Sequence, residues 1–256
     1  MTQLNNKWIL AAVTFVILFG LQTPASAVPL VVNIVEDPGI PQDVNALTGF
    51  TTTGSDMAGM IVTAFFQNEE EIMAVWMAGA PGNGFATTSV VSTKDPLLTL
   101  SFSLTQTGDT FTQPWSLRNL TTRTGGTEMG LTRLVIDGIA GETVFDLTNG
   151  GAEGTPGSSF GHDFSGSYIF PLSADAVYLD EVRVGGAPAG GDIYGSLDIR
   201  LSGSGLVPLA FGDEVLVFVA DTDSVGLFPP GQAPEPGSTL LLLGAGLIAL
   251  YRRRRG

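Results

Sequence analysis

The sequence has 256 residues, with 25 Asp and Glu against 11 Lys and Arg, no cysteine and a single histidine, His162. A formal charge of −14 excludes a nucleic-acid partner, whose phosphates demand clustered Lys and Arg. The missing cysteines exclude a disulfide framework, a thiol nucleophile and any Cys-based zinc or iron–sulfur site, and one histidine excludes the usual multi-imidazole metal centres.

The N-terminus places Lys7 before a 14-residue apolar run, Trp8 to Leu21, and closes on Pro24-Ala25-Ser26-Ala27. A cationic start, a short apolar stretch and small residues at Ala25 and Ala27 make a secretory signal peptide over residues 1–27. Cleavage before Val28 is expected, and the apolar run is shorter than the roughly 20 residues a membrane-spanning helix needs.

From residue 28 to 228 no long helical periodicity occurs, and alternation of apolar and polar residues recurs instead. Leu100, Phe102 and Leu104 face one way while Thr99, Ser101 and Ser103 face the other. Ile193, Leu197, Ile199 and Leu201 are expected on one face, opposite Tyr194, Ser196, Asp198 and Arg200. The run Val215 to Val219 is apolar throughout and reads as a strand covered on both sides. Further strands are expected at 30–35, 58–66, 71–77, 85–92, 131–136, 168–172 and 176–184, with Trp76 in the core. Turn signals such as Thr107-Gly108-Asp109, Asp137-Gly138 and Gly185-Gly186 separate them, so the expectation is one all-β domain, a β-sandwich or jelly roll. The glycine-rich stretch from Asn149 to Gly161 reads as a long surface loop.

Little in this domain points to catalysis. His162 is the only imidazole and no Gly-x-Ser-x-Gly elbow accompanies it, so it reads as an exposed loop histidine. Glu128, Glu142, Asp146 and Asp163 are carboxylates that could serve glycoside hydrolysis, but no spacing singles out a pair. Oxygen donors abound while nitrogen and sulfur donors are nearly absent, which makes calcium the candidate metal. Asp221 and Asp223, two residues apart after an apolar run, are its candidate ligands, with Asp37, Asp192 and Asp213 as additions brought in by the fold. For a sugar ligand, Trp115 after Gln113-Pro114 is the candidate stacking ring.

Pro229-Pro230-Gly231 opens a linker, residues 229–233, and the C-terminal segment 234–256 follows. It reads Pro234-Glu235-Pro236, Gly237-Ser238-Thr239, an apolar run from Leu240 to Tyr251, and Arg252-Arg253-Arg254-Arg255. The prolines hold the first tripeptide extended, and the arginine cluster acts as a cytoplasmic stop-transfer signal. The 15 residues from Gly237 to Tyr251 span only about 22 Å as a helix, less than the roughly 30 Å hydrocarbon core. A span so short suits a temporary anchor.

This ordered set of parts resembles the PEP-CTERM sorting signal, an element also labelled the ice-binding protein C-terminal domain. The resemblance implies export across the inner membrane of a Gram-negative bacterium, transient anchoring there, and processing near Pro234-Glu235-Pro236 by an exosortase-type enzyme. With Lys7 and Arg252 to Arg255 acting as topology signals, the segment from Val28 to Pro236 keeps 6 basic residues against 25 acidic ones, a charge of −19. The expected function is a structural or interaction role at the cell envelope, surface or extracellular matrix, with no enzymatic activity. The alternatives are a carbohydrate-binding module with exopolysaccharide as partner and a secreted glycan hydrolase.

Overall fold

A computed structural model describes residues 27–125, 129–147, 161–168, 172–188, 193–202 and 215–226. The first strands in chain order are β1 (Val28–Pro29), β2 (Val31–Asp37), β3 (Gln42–Val44), β4 (Ala46–Gly49), β5 (Ile61–Phe66), β6 (Glu71–Val75) and β7 (Met77–Ala78). Next come β8 (Asn83–Val91), β9 (Leu98–Thr107), β10 (Trp115–Asn119), β11 (Thr122–Arg123), β12 (Leu131–Asp137) and, after a 3-10 turn at Ile139–Gly141, β13 (Thr143–Asp146). The last are β14 (Ser165–Tyr168), β15 (Ser173–Val184), β16 (Ala187–Pro188), β17 (Ile193–Ser202), β18 (Leu216–Val219) and β19 (Asp221–Gly226).

These strands form two sheets in a sandwich-like arrangement, as the alternation predicts. One has eight strands, in the order β1-β14-β18-β10-β9-β8-β7 with β11 beside β9. The other has 11, in the order β4-β19-β13-β17-β12-β5-β6, with β15 on β17 and β2, β3 and β16 on β15. Pairing is antiparallel except where β15 meets β2 and β3. Among the described residues no helix is long and apolar enough to cross a membrane; the span from Gly237 to Tyr251 lies outside them.

The main core lies between the sheets, where Leu100, Phe102, Leu104, Leu117 and Phe218 of the first meet Val62, Leu134, Ile136, Leu197 and Ile199 of the second. A smaller cluster, Val44, Val144, Val182, Ile193 and Val225, is separate from it. Aromatic rings run in sequence through the main core. Trp76 lies 5.2 Å from Trp115, Trp115 stacks on Phe218 at 5.9 Å, and Phe218 stacks on Phe164 at 5.3 Å.

Two sequence expectations need correction. The polar side of β17 was expected to face solvent, yet Tyr194, Ser196 and Asp198 are buried. Strand β17 is central, flanked by β12 and β13 along one edge and β15 along the other, and Asp198 is tied to Arg133 and Arg200. Conversely, β18 was expected to be covered on both sides, but only Leu216 and Phe218 are buried while Val217 and Val219 are half-exposed.

Besides the step from β1 through Leu30 to β2, two runs of chain pass from one sheet to the other almost without a break. The first goes from β6 through Trp76 to β7, and the second from β18 through Ala220 to β19. At the first, the Trp76 indole donates to the Gly54 carbonyl at 2.7 Å. A Cβ on Gly84 would stand 2.0 Å from that carbonyl oxygen and 2.2 Å from the indole nitrogen, so only glycine lets the chains approach this closely. The second crossing carries carboxylates.

Candidate functional site

Because side chains alternate along a strand, Asp221, Asp223 and Val225 of β19 share one face. The antiparallel register with β13 sets Asp146 directly opposite Asp221 and Val144 opposite Asp223. Three carboxylates therefore stand on one face of a two-strand ribbon, beside the valines of the smaller cluster. All three are buried, and one carboxylate oxygen from each lies within 4.8 Å of the others.

The surrounding polar groups fix this geometry. Thr110 Oγ1 donates to Asp221 Oδ1 at 3.1 Å, and the Thr222 N–H donates to the same oxygen at 2.8 Å. Thr222 Oγ1 lies 3.1 Å from Thr110 Oγ1, so the Thr110 segment is pinned to the start of β19. On the β13 side the His162 N–H donates to the Asp146 carbonyl at 3.2 Å. A Cβ on Gly161 would stand 2.6 Å from Asp146 Oδ1, so the chain returns against this carboxylate at a glycine.

Electrostatically the site is under tension. Like charges directly opposite on neighbouring strands repel, and burial removes the water that would screen them. Burial pushes the Asp221 carboxyl up to about 8, with the neighbouring Asp223 and Asp146 charges adding to the rise and the bonds from Thr110 and Thr222 opposing it. Burial likewise pushes the Tyr178 hydroxyl upward, a bond to the Phe164 backbone works against it, and Asp163, Asp221 and Asp146 add to the rise. Such a group can keep protons or take a cation. With oxygen as the sole donor atom it matches the preference of calcium or magnesium over that of zinc.

The structure thus brings the expected ligands Asp221 and Asp223 together and adds Asp146, which the sequence offered only as one hydrolase carboxylate among four. Asp37 is elsewhere, exposed at the end of β2, where its Oδ1 accepts the Gly39 N–H at 3.1 Å. Asp192, Asp213 and Glu128 lie outside the described residues, and Glu142 follows the 3-10 turn with a φ of 54°. His162 is half-buried, its Nδ1 lying 2.7 Å from the Asp163 carbonyl. What could have flagged Asp146 is its setting, an acid inside the otherwise apolar run Val144-Phe145-Asp146-Leu147.

Trp115 corrects the sugar-stacking expectation. It is fully buried, one face against Phe218, and its indole N–H donates to the Ala220 carbonyl at 2.9 Å. No ring face is left for a sugar. Val28 pairs with Tyr168 at the start of β1, and Ala27 is exposed just before it. Ala25, Pro234, Glu235, Pro236 and Arg252 to Arg255 lie outside the described residues.

In a comparison with known families, residues 232–255 match the PEP-CTERM protein-sorting motif. The chain carries that motif, and with it the marks of export, of sorting to the envelope and of processing by an exosortase. Neither a curated protein nor a solved structure matches the chain.

Proposed function

We propose that this chain, exported and sorted through its PEP-CTERM motif, serves a structural or interaction role at the cell envelope or in the extracellular matrix, with its β-sandwich as the working part. The match at residues 232–255 carries the reading. In the precursor, Lys7 and the four terminal arginines stay on the cytoplasmic side, the sandwich lies outside the inner membrane, and the Pro234-Glu235-Pro236 motif comes between sandwich and apolar run in the sequence. A strongly acidic surface keeps such a domain soluble and opposes adsorption to anionic polymers.

The same proposal gives the sandwich a structural calcium ion, held by Asp146, Asp221 and Asp223 at the second crossing. The support is an all-oxygen donor set on paired strands, together with the electrostatic cost of three buried carboxylates side by side. A calcium ion there would bind β13 to β19 and neutralise the site. The carbohydrate-binding alternative loses its stacking residue with Trp115 in the core. An exopolysaccharide partner would have to be met by other groups.

The test is truncation after Gln232 followed by cell fractionation. The full chain should be recovered in the envelope or released fraction with its C-terminal segment removed, and the truncated chain should be distributed differently. Identical distribution of the two would overturn the sorting reading. Replacing Glu235 with Ala should leave the unprocessed form at the inner membrane. Intact mass of the mature protein then gives both cleavage points and any attached group.

A further inference from the structure

The sequence has no cysteine and six methionines, so thioethers are the only oxidisable sulfur the mature protein carries. Met1 belongs to the signal peptide. Met57 and Met60 are fully buried in the main core, and Met129 is half-buried against it. The remaining two are exposed. Strand β6 turns Ile72 and Ala74 inward, as the linking Trp76 is, so Met73 and Val75 point outward, and Met77 continues the outward stripe at the start of β7. Met73 is 60% exposed, Val75 55% and Met77 47%. The outward side of an edge strand ordinarily carries polar or charged residues, since exposed apolar edges invite unwanted pairing. Here only Glu71 is charged on the outward side of β6, next to Met73 and Val75, and Met77 on the adjoining edge strand β7 follows about 13 Å along the chain from Met73.

We propose that Met73 and Met77 form an oxidation site on the surface of the exported protein, where a peroxide converts each thioether to a sulfoxide. A sulfur lone pair attacks one oxygen of hydrogen peroxide, the O–O bond breaks and an S–O bond forms. The sulfur loses two electrons, and the peroxide is reduced to one molecule of water per sulfoxide. Two features favour these positions over the other methionines. The oxidant reaches them without any opening of the fold, whereas Met57 and Met60 can be reached only when the core opens. The polar sulfoxide then points into water instead of disrupting packing, so the domain tolerates the change. Oxidation turns an apolar stripe polar and lets the envelope protein consume oxidant while remaining folded.

The experiment exposes the mature protein to hydrogen peroxide and follows it by intact mass, peptide mapping and thermal melting. A fast phase should add two oxygens, about 16 Da each, at Met73 and Met77, at least roughly tenfold faster than at Met57 or Met60. At that stage the melting temperature should be unchanged and retention on a hydrophobic column reduced. The Met73→Leu/Met77→Leu double variant keeps the stripe apolar and should lose both the fast phase and the retention change. Equal oxidation rates at exposed and core methionines would overturn the proposal, as would a two-oxygen fast phase that survives in the double variant. Melting at a lower temperature after the first two additions would overturn the claim that the fold tolerates them.

Discussion

The sheet crossings at Trp76 and Ala220 solve one geometric problem with opposite chemistry. At Trp76 the chain turns between sheets on an indole, a bound carbonyl and two glycines in close contact. At Ala220 it turns beside three buried carboxylates. The two are physically joined, because Trp115 packs on Trp76 with its ring and donates to the Ala220 carbonyl with its indole N–H. The first crossing is held by packing and a neutral hydrogen bond, with no charged group. The second places like charges opposite one another in a part of the fold where apolar residues would pack at no electrostatic cost. An arrangement that costs stability in isolation points to a role beyond holding the sheets together, and cation binding is the role its donors suit.

The largest effect should come from breaking the apolar crossing. Trp76→Ala removes a buried ring and its hydrogen bond, with an expected loss of about 3–5 kcal/mol in denaturant unfolding. Gly84→Ala should be of comparable severity, since its Cβ would overlap the Gly54 carbonyl and the Trp76 nitrogen. Trp115→Phe should be milder, about 1–3 kcal/mol, because the ring contacts persist while the Ala220 carbonyl loses its donor. If Gly84→Ala unfolded at the same denaturant concentration as the native protein, the close approach of these chains would be refuted.

Sequence and structure part company where burial is decided by neighbours in space. Strand β9 was legible because one of its faces meets the core and the other is largely polar, so Leu100, Phe102 and Leu104 announce it by period alone. Strand β17 has the same alternation, but its position in the middle of the wider sheet and the arginines around Asp198 bury its polar side as well. Nothing near Trp115 in sequence reveals that Phe218 and Ala220, about a hundred positions away, will enclose it. The carboxylate site was half legible for the same reason. Asp221 and Asp223 are close in sequence, whereas Asp146 joins them only through the register of β13 against β19.

A second prediction breaks the carboxylate crossing and carries a definite sign with pH. The folded-state pKa of Asp221 is raised, so its contribution is fully present below the ordinary carboxylate value near 3.8 and is lost as pH rises towards about 8. In chelator, the native protein should therefore lose stability relative to Asp221→Asn across that window, by an amount on the order of a few kcal/mol. Adding calcium at pH 8 should raise the melting temperature of the native protein and leave Asp221→Asn unchanged. A calcium response of equal size in both would remove the ion from this site. A native melting curve indifferent to chelator and calcium would remove the ion altogether.

The smallest expected effect comes from a carboxylate that sharpens the contrast by behaving in the opposite way. Glu70, in the turn between β5 and β6, accepts hydrogen bonds from Ser92 Oγ, from the Thr93 N–H at 2.7 Å and hydroxyl at 2.6 Å, and from the Lys94 N–H at 3.3 Å. Partial burial acts to raise its pKa, but these donors outweigh it and hold the carboxyl at about 2. The turn after β6's neighbour is thereby tied to the turn between β8 and β9 by an ionised group fully served by donors. Its contribution is present above the ordinary value of 4.5 and is lost as pH falls towards 2, the reverse of Asp221. Glu70→Gln should cost about 1 kcal/mol at neutral pH, reduced by the solvent that reaches this turn, and the cost should vanish in acid. If the variant and the native protein instead diverged further as pH fell, the donors around Glu70 would not be stabilising its charge, and accessible donors could no longer explain why one carboxylate is held low while Asp221 is driven high.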